Sequence, residues 1–176
     1  MKLYVATSPN SHKVLAVVRH LGASLEIASV DFARGDLRTP EFLALNPNSM
    51  VPVLVDGTFT LWESNAINIY LVDKAGDSSL FPRNAQTRVD IVRWQLWEQA
   101  HFNRSFGTLI FESLIKPRFG MGEASPGLVE YCLRETGRFA SSTSSARSAR
   151  CLCPPRSSVP SPSTTSSGPR MRNSMG

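Results

Sequence analysis

The chain has 176 residues, of which 41% are hydrophobic and 9% aromatic, enough to form a packed core in one domain or two small ones. The net charge of +5 does not indicate a nucleic-acid-binding surface, because all 14 acidic residues and 14 of the 19 basic ones lie in residues 1–140. No secretory signal, membrane-spanning run or metal-ligand spacing is visible, so we expect a cytoplasmic protein that binds no nucleic acid, membrane or metal.

Short strands and helices alternate through the first part of the chain. The pattern predicts a strand over residues 2–6, a helix over residues 11–20 that Gly22 ends, and a strand over residues 25–30. A short helix follows, with Thr39 as its N-cap and Pro40 at its first position.

A hairpin and a third helix come next. Strands over residues 51–55 and 58–62 flank Asp56-Gly57, which is a strong signal for a two-residue hairpin loop. A helix then starts at Ser64 and ends near Gly76. The order βαβαββα, a βαβ unit followed by an antiparallel hairpin, predicts a thioredoxin-like α/β domain over residues 1–77.

The middle of the chain is helical. After a linker over residues 78–84, a helix capped by Asn84 is predicted to run to about residue 115, where Pro117 ends it. Residues 126–138 are predicted to form the start of another helix. We expect a partial all-helical domain over residues 85–140. Its aromatic residues, which include Trp94 and Trp97, fit either a core or a pocket for a small molecule.

Pro52 stands between two apolar residues at the start of a strand. A trans proline is tolerated there if the strand lies at a sheet edge. A cis Val51–Pro52 bond would instead turn the amide and carbonyl of Val51 outward, where they could meet the backbone of a peptide-like ligand. The residues alone leave both alternatives open.

Three stretches, "TSPNSHKV", "TPEFLALNPNSMVPVL" and "ESNAINIYL", together resemble the glutathione transferases, in particular the bacterial, serine-type, phi- and theta-like members. The resemblance is close through residue 75 and extends to about residue 138. It implies a thioredoxin-like domain followed by an all-α domain, a homodimer, and a cis peptide bond before Pro52. It also implies detoxification by conjugation of glutathione to an electrophilic small molecule.

The resemblance implies a role for each matched residue. Ser8 would donate a hydrogen bond to the glutathione thiolate and lower the pKa of the thiol; Ser11, the expected N-cap of the first helix, is the alternative. The backbone of Val51 would pair with the cysteinyl part of glutathione. Ser64 and the amides beside it would bind the γ-glutamyl carboxylate, and Glu63 would oppose the γ-glutamyl ammonium.

Some positions depart from the family pattern. Met50 replaces a Gln or Lys, and Leu37 stands where some members have a His for the glycine carboxylate, so that adjacent Arg38 either serves that carboxylate or is solvated. We therefore expect weaker or differently oriented glutathione binding. Tyr4 falls too early to be the tyrosine of tyrosine-type enzymes, and residues 1–131 contain no Cys for a cysteine-type enzyme.

Residues 141–176 are rich in Ser, Pro and Arg and contain no acidic residue, which predicts a disordered tail. The family would have further helices here. One hypothesis is therefore a shift of reading frame near residues 138–141, which would leave a truncated helical domain. Two other outcomes remain open beside the transferase: a non-catalytic binding module with this fold, and an inactive truncated product.

Overall fold

The computed structural model of the protein describes residues 1–77 and 79–148, and only the backbone of residues 144–148. The chain divides into two units, Met1–Ala140 and Ser141–Gly176. The first unit begins with a four-stranded sheet in the order β2-β1-β3-β4. Its strands are β1 (Lys2–Val5), β2 (Glu26–Ser29), β3 (Val53–Asp56) and β4 (Phe59–Trp62).

The first two strands are parallel, and β3 is antiparallel to both β1 and β4. Between and after them lie α1 (Pro9–Leu21), a 3₁₀ turn (Asp36–Arg38), α2 (Pro40–Leu45) and α3 (Ser64–Ala75). The predicted βαβαββα order and thioredoxin-like domain are thereby confirmed.

Side chains that alternate along the strands divide between two apolar clusters. The cluster shared with α1 and α3 contains Leu3, Val5, Val14, Val18, Leu54, Ile67 and Leu71. The cluster shared with α2 contains Leu37, Phe42 and Val53, with Tyr4 packed against it. Because Leu3 and Tyr4 fall in different clusters, as do Val53 and Leu54, both faces of the sheet are covered.

Two local predictions are wrong by one turn or one residue. Ser8, not Ser11, is the N-cap of α1, because Pro9 takes the first helical position, where its missing N–H is not needed. The two-residue hairpin loop is Gly57-Thr58 rather than Asp56-Gly57, since Asp56 pairs with Phe59. Gly57 has φ of 60°, a left-handed conformation that such loops require and glycine adopts freely.

The helical part consists of α4 (Ala85–Trp97), α5 (Asn103–Ile110), α6 (Lys116–Arg118) and α7 (Pro126–Ser148). Two π turns, Glu98–Phe102 and Phe111–Ile115, join α4 to α5 and α5 to α6. Pro117 does not end the helix at residue 115, because it lies in the first turn of α6, where proline is tolerated.

The last helix continues into the predicted tail. It continues past residue 138 to Ser148, because no Pro or Gly follows Gly137 until Pro154. The predicted tail over residues 141–176 therefore begins inside a helix, and residues 149–176 lie outside the described part of the chain. None of the described helices combines the length and the apolar composition needed to cross a lipid bilayer.

Candidate active site

The strand register brings three distant segments together where β1, β3 and β4 begin or end, which is called this edge of the sheet below. Tyr4 is opposite Val53, and Val53 is opposite Trp62, so these residues form one row across β1, β3 and β4. Chain direction then decides what lies beyond that row. The β1–α1 turn comes directly after β1, the Val51-Pro52 dipeptide comes directly before β3, and the Glu63-Ser64 dipeptide comes directly after β4. All three segments therefore lie on the same side of the row.

Ser8 and Ser11 form one hydrogen-bonded pair at the start of α1. The Ser8 hydroxyl accepts the Ser11 N–H at 3.2 Å and lies 3.0 Å from the Ser11 hydroxyl. The Ser11 hydroxyl also accepts the Ala6 N–H at 3.3 Å. Ser11 is 0% exposed, whereas Ser8 is partly exposed. Of the two candidates, only Ser8 is open to a ligand.

The segment before β3 is held by a buried side chain. Asn46 is only 2% exposed. Its amide donates to the Met50 carbonyl at 2.8 Å and accepts the Asn48 N–H at 3.0 Å. The Val51–Pro52 peptide bond is cis, and the side chain of Met50 is exposed. Within the described residues, the backbone N–H and carbonyl of Val51 have no hydrogen-bond partner.

The amino terminus of α3 carries no side-chain cap. Glu63, not Ser64, occupies the N-cap position, with φ of 75° and no capping hydrogen bond from its side chain. Ser64 is the first helical residue and is buried. The N–H groups of residues 64–66 have no acceptor within the helix, because the first intrahelical bond runs from Ile67 to Glu63. Positive φ is uncommon for a non-glycine residue and concentrates at functional sites.

Residues from the helical part contact this edge of the sheet. The Glu63 carboxylate accepts a hydrogen bond from the Gln99 amide at 2.9 Å. Glu98 pairs with Lys13 of α1 at 2.9 Å and accepts the Asn65 amide at 3.3 Å. The sequence analysis did not predict these contacts, because the residues that make them are 33 to 85 positions apart and carry no local signal. Asn46 was also missed, although its Asn-Pro context indicated a turn.

The remaining candidates lie around this edge. Arg38 is exposed at the end of the 3₁₀ turn, while Leu37 is buried against Phe42 and Val53. Leu37 is thus a core residue. Tyr4 is also directed to the α2 side, where its ring meets Phe42 edge to face, with 6.0 Å between centroids. This packing agrees with the rejection of Tyr4 as the hydroxyl that would face a thiol.

Aromatic side chains form a row along the helical part. Trp94 and Trp97 meet edge to face with 5.4 Å between ring centroids, and Trp97 stacks on Phe102 at 6.1 Å. Phe106 extends the row, stacking on Phe102 at 5.3 Å. No residue of α4 is fully buried, so these rings pack on one another rather than inside a closed core.

A charged cluster fastens α3 to the far end of the hairpin. Tyr70 donates to Asp56 at 2.7 Å, and Lys74 forms an ion pair with the same carboxylate. The hydrogen bond from Lys74, followed by that from Tyr70, lowers the pKa of Asp56, and Asp56 in turn raises the pKa values of Tyr70 and Lys74. Asp56 ends β3 away from the Tyr4–Val53–Trp62 row, so we assign the cluster a structural role. In the described chain no group of three His, Cys, Asp or Glu side chains is placed to bind a metal ion.

Residues 1–73 match the family model for the glutathione S-transferase N-terminal domain. Glutathione S-transferase 3 of Zea mays is 37% identical over 133 residues, which are 74% of this chain and 59% of that protein. Glutathione S-transferase D7 of Drosophila melanogaster is 41% identical over 83 residues, 46% of this chain and 37% of that protein. The chain therefore spans 59% or less of the length of these two relatives.

Solved structures share the fold through the helical part. Glutathione transferase F7 from Populus trichocarpa superposes with a TM-score of 0.77 at 24% identity, over 84% of this chain and 71% of that one. Glutathione transferase URE2P6 from Phanerochaete chrysosporium, solved in complex with oxidized glutathione, gives 0.75 at 29% identity, over 86% and 69%. The family-model match shows that residues 1–73 belong to the glutathione S-transferase N-terminal domain family, and the solved structures show that the likeness in fold continues through the helical part.

Proposed function

We propose that the chain binds glutathione at this sheet edge and activates its thiol for attack on an electrophilic small molecule, as a serine-type transferase. One observation carries the proposal. The row formed by Tyr4, Val53 and Trp62 is flanked by a hydroxyl, an unpaired backbone segment and an uncapped helix terminus. In this proposal residues 1–77 bind glutathione, and residues 85–140 form the partial helical domain. Residues 78–84 are the linker between them.

The γ-glutamyl group would bind at the amino terminus of α3. The free N–H groups there and the helix dipole favour a carboxylate. Glu63 adds a negative charge beside them, which matches the ammonium of the same group. The hydrogen bond from Gln99 keeps the Glu63 carboxylate in place. Ser64 would contribute its backbone N–H, together with those of the next residues, and its hydroxyl.

The cysteinyl part of glutathione would pair with Val51 as an added strand does, through its backbone N–H and carbonyl. Asn46 holds the Met50 carbonyl, which fixes the turn that presents Val51 and Pro52. Arg38 is exposed near the end of the 3₁₀ turn and would attract the glycine carboxylate. Exposed Met50 offers only apolar contact there, so the charged ends of glutathione would supply the larger share of the affinity.

Ser8 would act on the sulfur. A hydrogen bond to an ionised partner contributes about 1.5–3 kcal/mol. If the bond is made only to the thiolate, that energy lowers the thiol pKa by about 1–2 units from an ordinary value of about 8.5. The dipole of α1 acts in the same direction. The thiol then loses its proton to water. The thiolate forms a C–S bond to the electrophile, which either loses a leaving group such as chloride with its electron pair or opens a π bond.

The electrophile would meet the aromatic row of Trp94, Trp97 and Phe102. This row flanks Glu98 and Gln99, whose side chains contact the sheet edge proposed to bind glutathione, called here the glutathione edge. An aromatic surface favours an apolar or aromatic acceptor. A homodimeric state, a cytoplasmic location and a role in detoxification belong to the same proposal and rest on family membership. Size-exclusion chromatography at several concentrations tests the first of these.

A substitution at Ser8 tests the mechanism, provided that the loss of its cap is controlled. Ser8→Ala removes both hydroxyl and cap, whereas Ser8→Gly removes the hydroxyl at a cost of only a few tenths of a kcal/mol in capping. We expect Ser8→Gly to lower kcat/KM with an activated chloronitrobenzene by about 10- to 100-fold, in line with the lost bond. Retention on a glutathione column should persist.

Two results would contradict the proposal. An unchanged kcat/KM in Ser8→Gly would remove Ser8 from the chemistry. Retention of the wild-type chain on glutathione, without any conjugation, would instead support the non-catalytic binding module.

A further inference from the structure

We propose that Ser11 is a positioning residue, whose buried hydroxyl donates to the Ser8 oxygen and thereby turns the Ser8 O–H outward to the glutathione sulfur. The inference rests on the proposed function of Ser8. It also gives Ser11 a role different from the one that its sequence position implied: it acts through Ser8 and does not contact the thiol.

The geometry limits what each hydroxyl can do. The Ser8 oxygen has two acceptor positions and one proton. The Ser11 N–H takes one acceptor position at 3.2 Å. The Ser11 oxygen stands 3.0 Å away, where it can either accept the Ser8 proton or donate to the second position. The 3.0 Å separation of the two oxygens fits both arrangements.

Burial favours the reversed arrangement once Ser8 has another acceptor. Ser11 is 0% exposed, and its hydroxyl oxygen already accepts the Ala6 N–H. In the described part of the chain, Ser8 is the only acceptor within hydrogen-bond reach of the Ser11 proton. When Ser8 donates to Ser11, the buried proton of Ser11 has no partner, which is unfavourable. When Ser8 donates to a thiolate, Ser11 can donate to Ser8 and all of these groups are paired.

The consequence is a chain of two hydroxyls that ends on the sulfur. An oxygen that accepts two hydrogen bonds becomes a stronger donor, because successive bonds polarise one another. Its O–H also loses rotational freedom, since both acceptor positions are occupied. Ser11 would therefore strengthen the bond that stabilises the thiolate, while making no contact with glutathione.

The test measures the ionisation of bound glutathione directly, by thiolate ultraviolet absorbance against pH on the full chain. We expect Ser11→Ala to raise the pKa of the bound thiol by about half a unit to one unit, and to lower kcat/KM roughly 3- to 10-fold below that pKa. The affinity for glutathione should change less than kcat. Ser105→Ala is the matched control, since it removes another buried helical hydroxyl, bonded to Thr136 and away from this edge.

A second pair of variants separates positioning from general damage. Ser11→Cys keeps a weak donor in nearly the same volume, so its pKa shift should be smaller than that of Ser11→Ala. The double variant Ser8→Gly with Ser11→Ala should show the same thiol pKa as Ser8→Gly alone, because Ser11 acts only through Ser8.

The outcomes distinguish this inference from the proposed function. If Ser8→Gly raises the thiol pKa and Ser11→Ala does not, or if the two shifts add, the role of Ser11 is wrong and that of Ser8 stands. If Ser8→Gly leaves the thiol pKa unchanged, the proposed function of Ser8 fails, and the inference fails with it. A shift in Ser105→Ala equal to that in Ser11→Ala would mean general loosening and would also overturn the inference.

Discussion

The sheet domain and the helical part of this chain bury their apolar residues to very different extents. Both faces of the sheet are covered, and several side chains there are completely inaccessible, among them Leu3, Leu54 and Ile67. In the helical part, by contrast, many apolar side chains are exposed to solvent. Among these are Val89, Leu96, Leu114 and Leu133.

The difference shows where the stability of the described unit originates. A closed core fixes the register of β1, β3 and β4, and that register places Ser8, Val51 and the start of α3 at one edge. The helical part contributes polar contacts to the same edge through Glu98 and Gln99. We infer that the sheet domain holds the site, and that the helical part adjusts it.

The largest effect is expected when one leucine from each region is replaced and the two losses of stability are compared. Leu54→Ala empties a site that is 0% exposed and should lower the free energy of unfolding by about 2–5 kcal/mol. Leu96→Ala, at a position that is 61% exposed, should change it by less than about 0.5 kcal/mol. Urea unfolding of both variants measures the difference.

Comparable losses in the two variants would contradict the comparison. They would mean that the open face of α4 is covered in solution. Repeating the Leu96→Ala measurement at several protein concentrations would then show whether a second copy covers it, since only an intermolecular contact makes the loss depend on concentration.

A smaller effect is expected where the two regions meet. Glu98→Ala removes the partner of Lys13 and an acceptor of Asn65, both partly shielded from solvent. We expect a loss of about 1 kcal/mol in stability, reduced by salt. Glutathione affinity should fall a few-fold, because α1 and α3 both lose a contact beside the site. Urea unfolding and isothermal titration calorimetry measure the two effects.

Glu130→Ala is the matched control for Glu98→Ala. Glu130 is likewise a carboxylate on a helix, but it is exposed, and no ion pair or side-chain hydrogen bond is described for it. If both variants behave alike, the contact between the helical part and the glutathione edge has no energetic weight, and the site depends on the sheet domain alone.

Much of this arrangement could be predicted because it depends on local signals. Strand alternation, the helix-stopping glycines and the loop glycine of the hairpin predict the element order, and the order then predicts which segments share an edge. The N-cap of α1 could also be predicted from the sequence, because Pro9 indicates the first helical position and therefore Ser8 as the cap.

The rest could not be predicted from neighbours in sequence. Glu63 occupies an N-cap with a positive φ and no capping bond, which no propensity favours. Gln99 and Glu98 acquire their partners only when the helical part packs beside the sheet. The extension of α7 has another cause: the composition of the tail predicts disorder, but no Pro or Gly stops a helix between Gly137 and Pro154.

The smallest expected effect, and the most specific one, is a change in acid sensitivity, and it concerns how α7 is attached. The buried carboxylate of Glu112 accepts the Ser125 N–H at 2.8 Å, just before α7 begins, and pairs with Lys116 at 3.0 Å. The Ser125 bond, followed by that of Lys116, lowers the pKa of Glu112 from its ordinary value of 4.5. Its stabilising contribution is therefore complete above that value, and is lost as pH falls through the lowered folded-state pKa.

We expect Glu112→Gln to be less sensitive to acid than the wild type. Urea midpoints followed by far-ultraviolet circular dichroism at about pH 6.5 and about pH 4 would measure this. Glu123→Gln, an exposed carboxylate nearby, should keep the wild-type response. If Glu112→Gln and the wild type lose stability in parallel, the carboxylate does not hold the start of α7. The helical part would then depend on the Ser105–Thr136 contact and the aromatic packing for its attachment, which would make it weaker still beside the sheet domain.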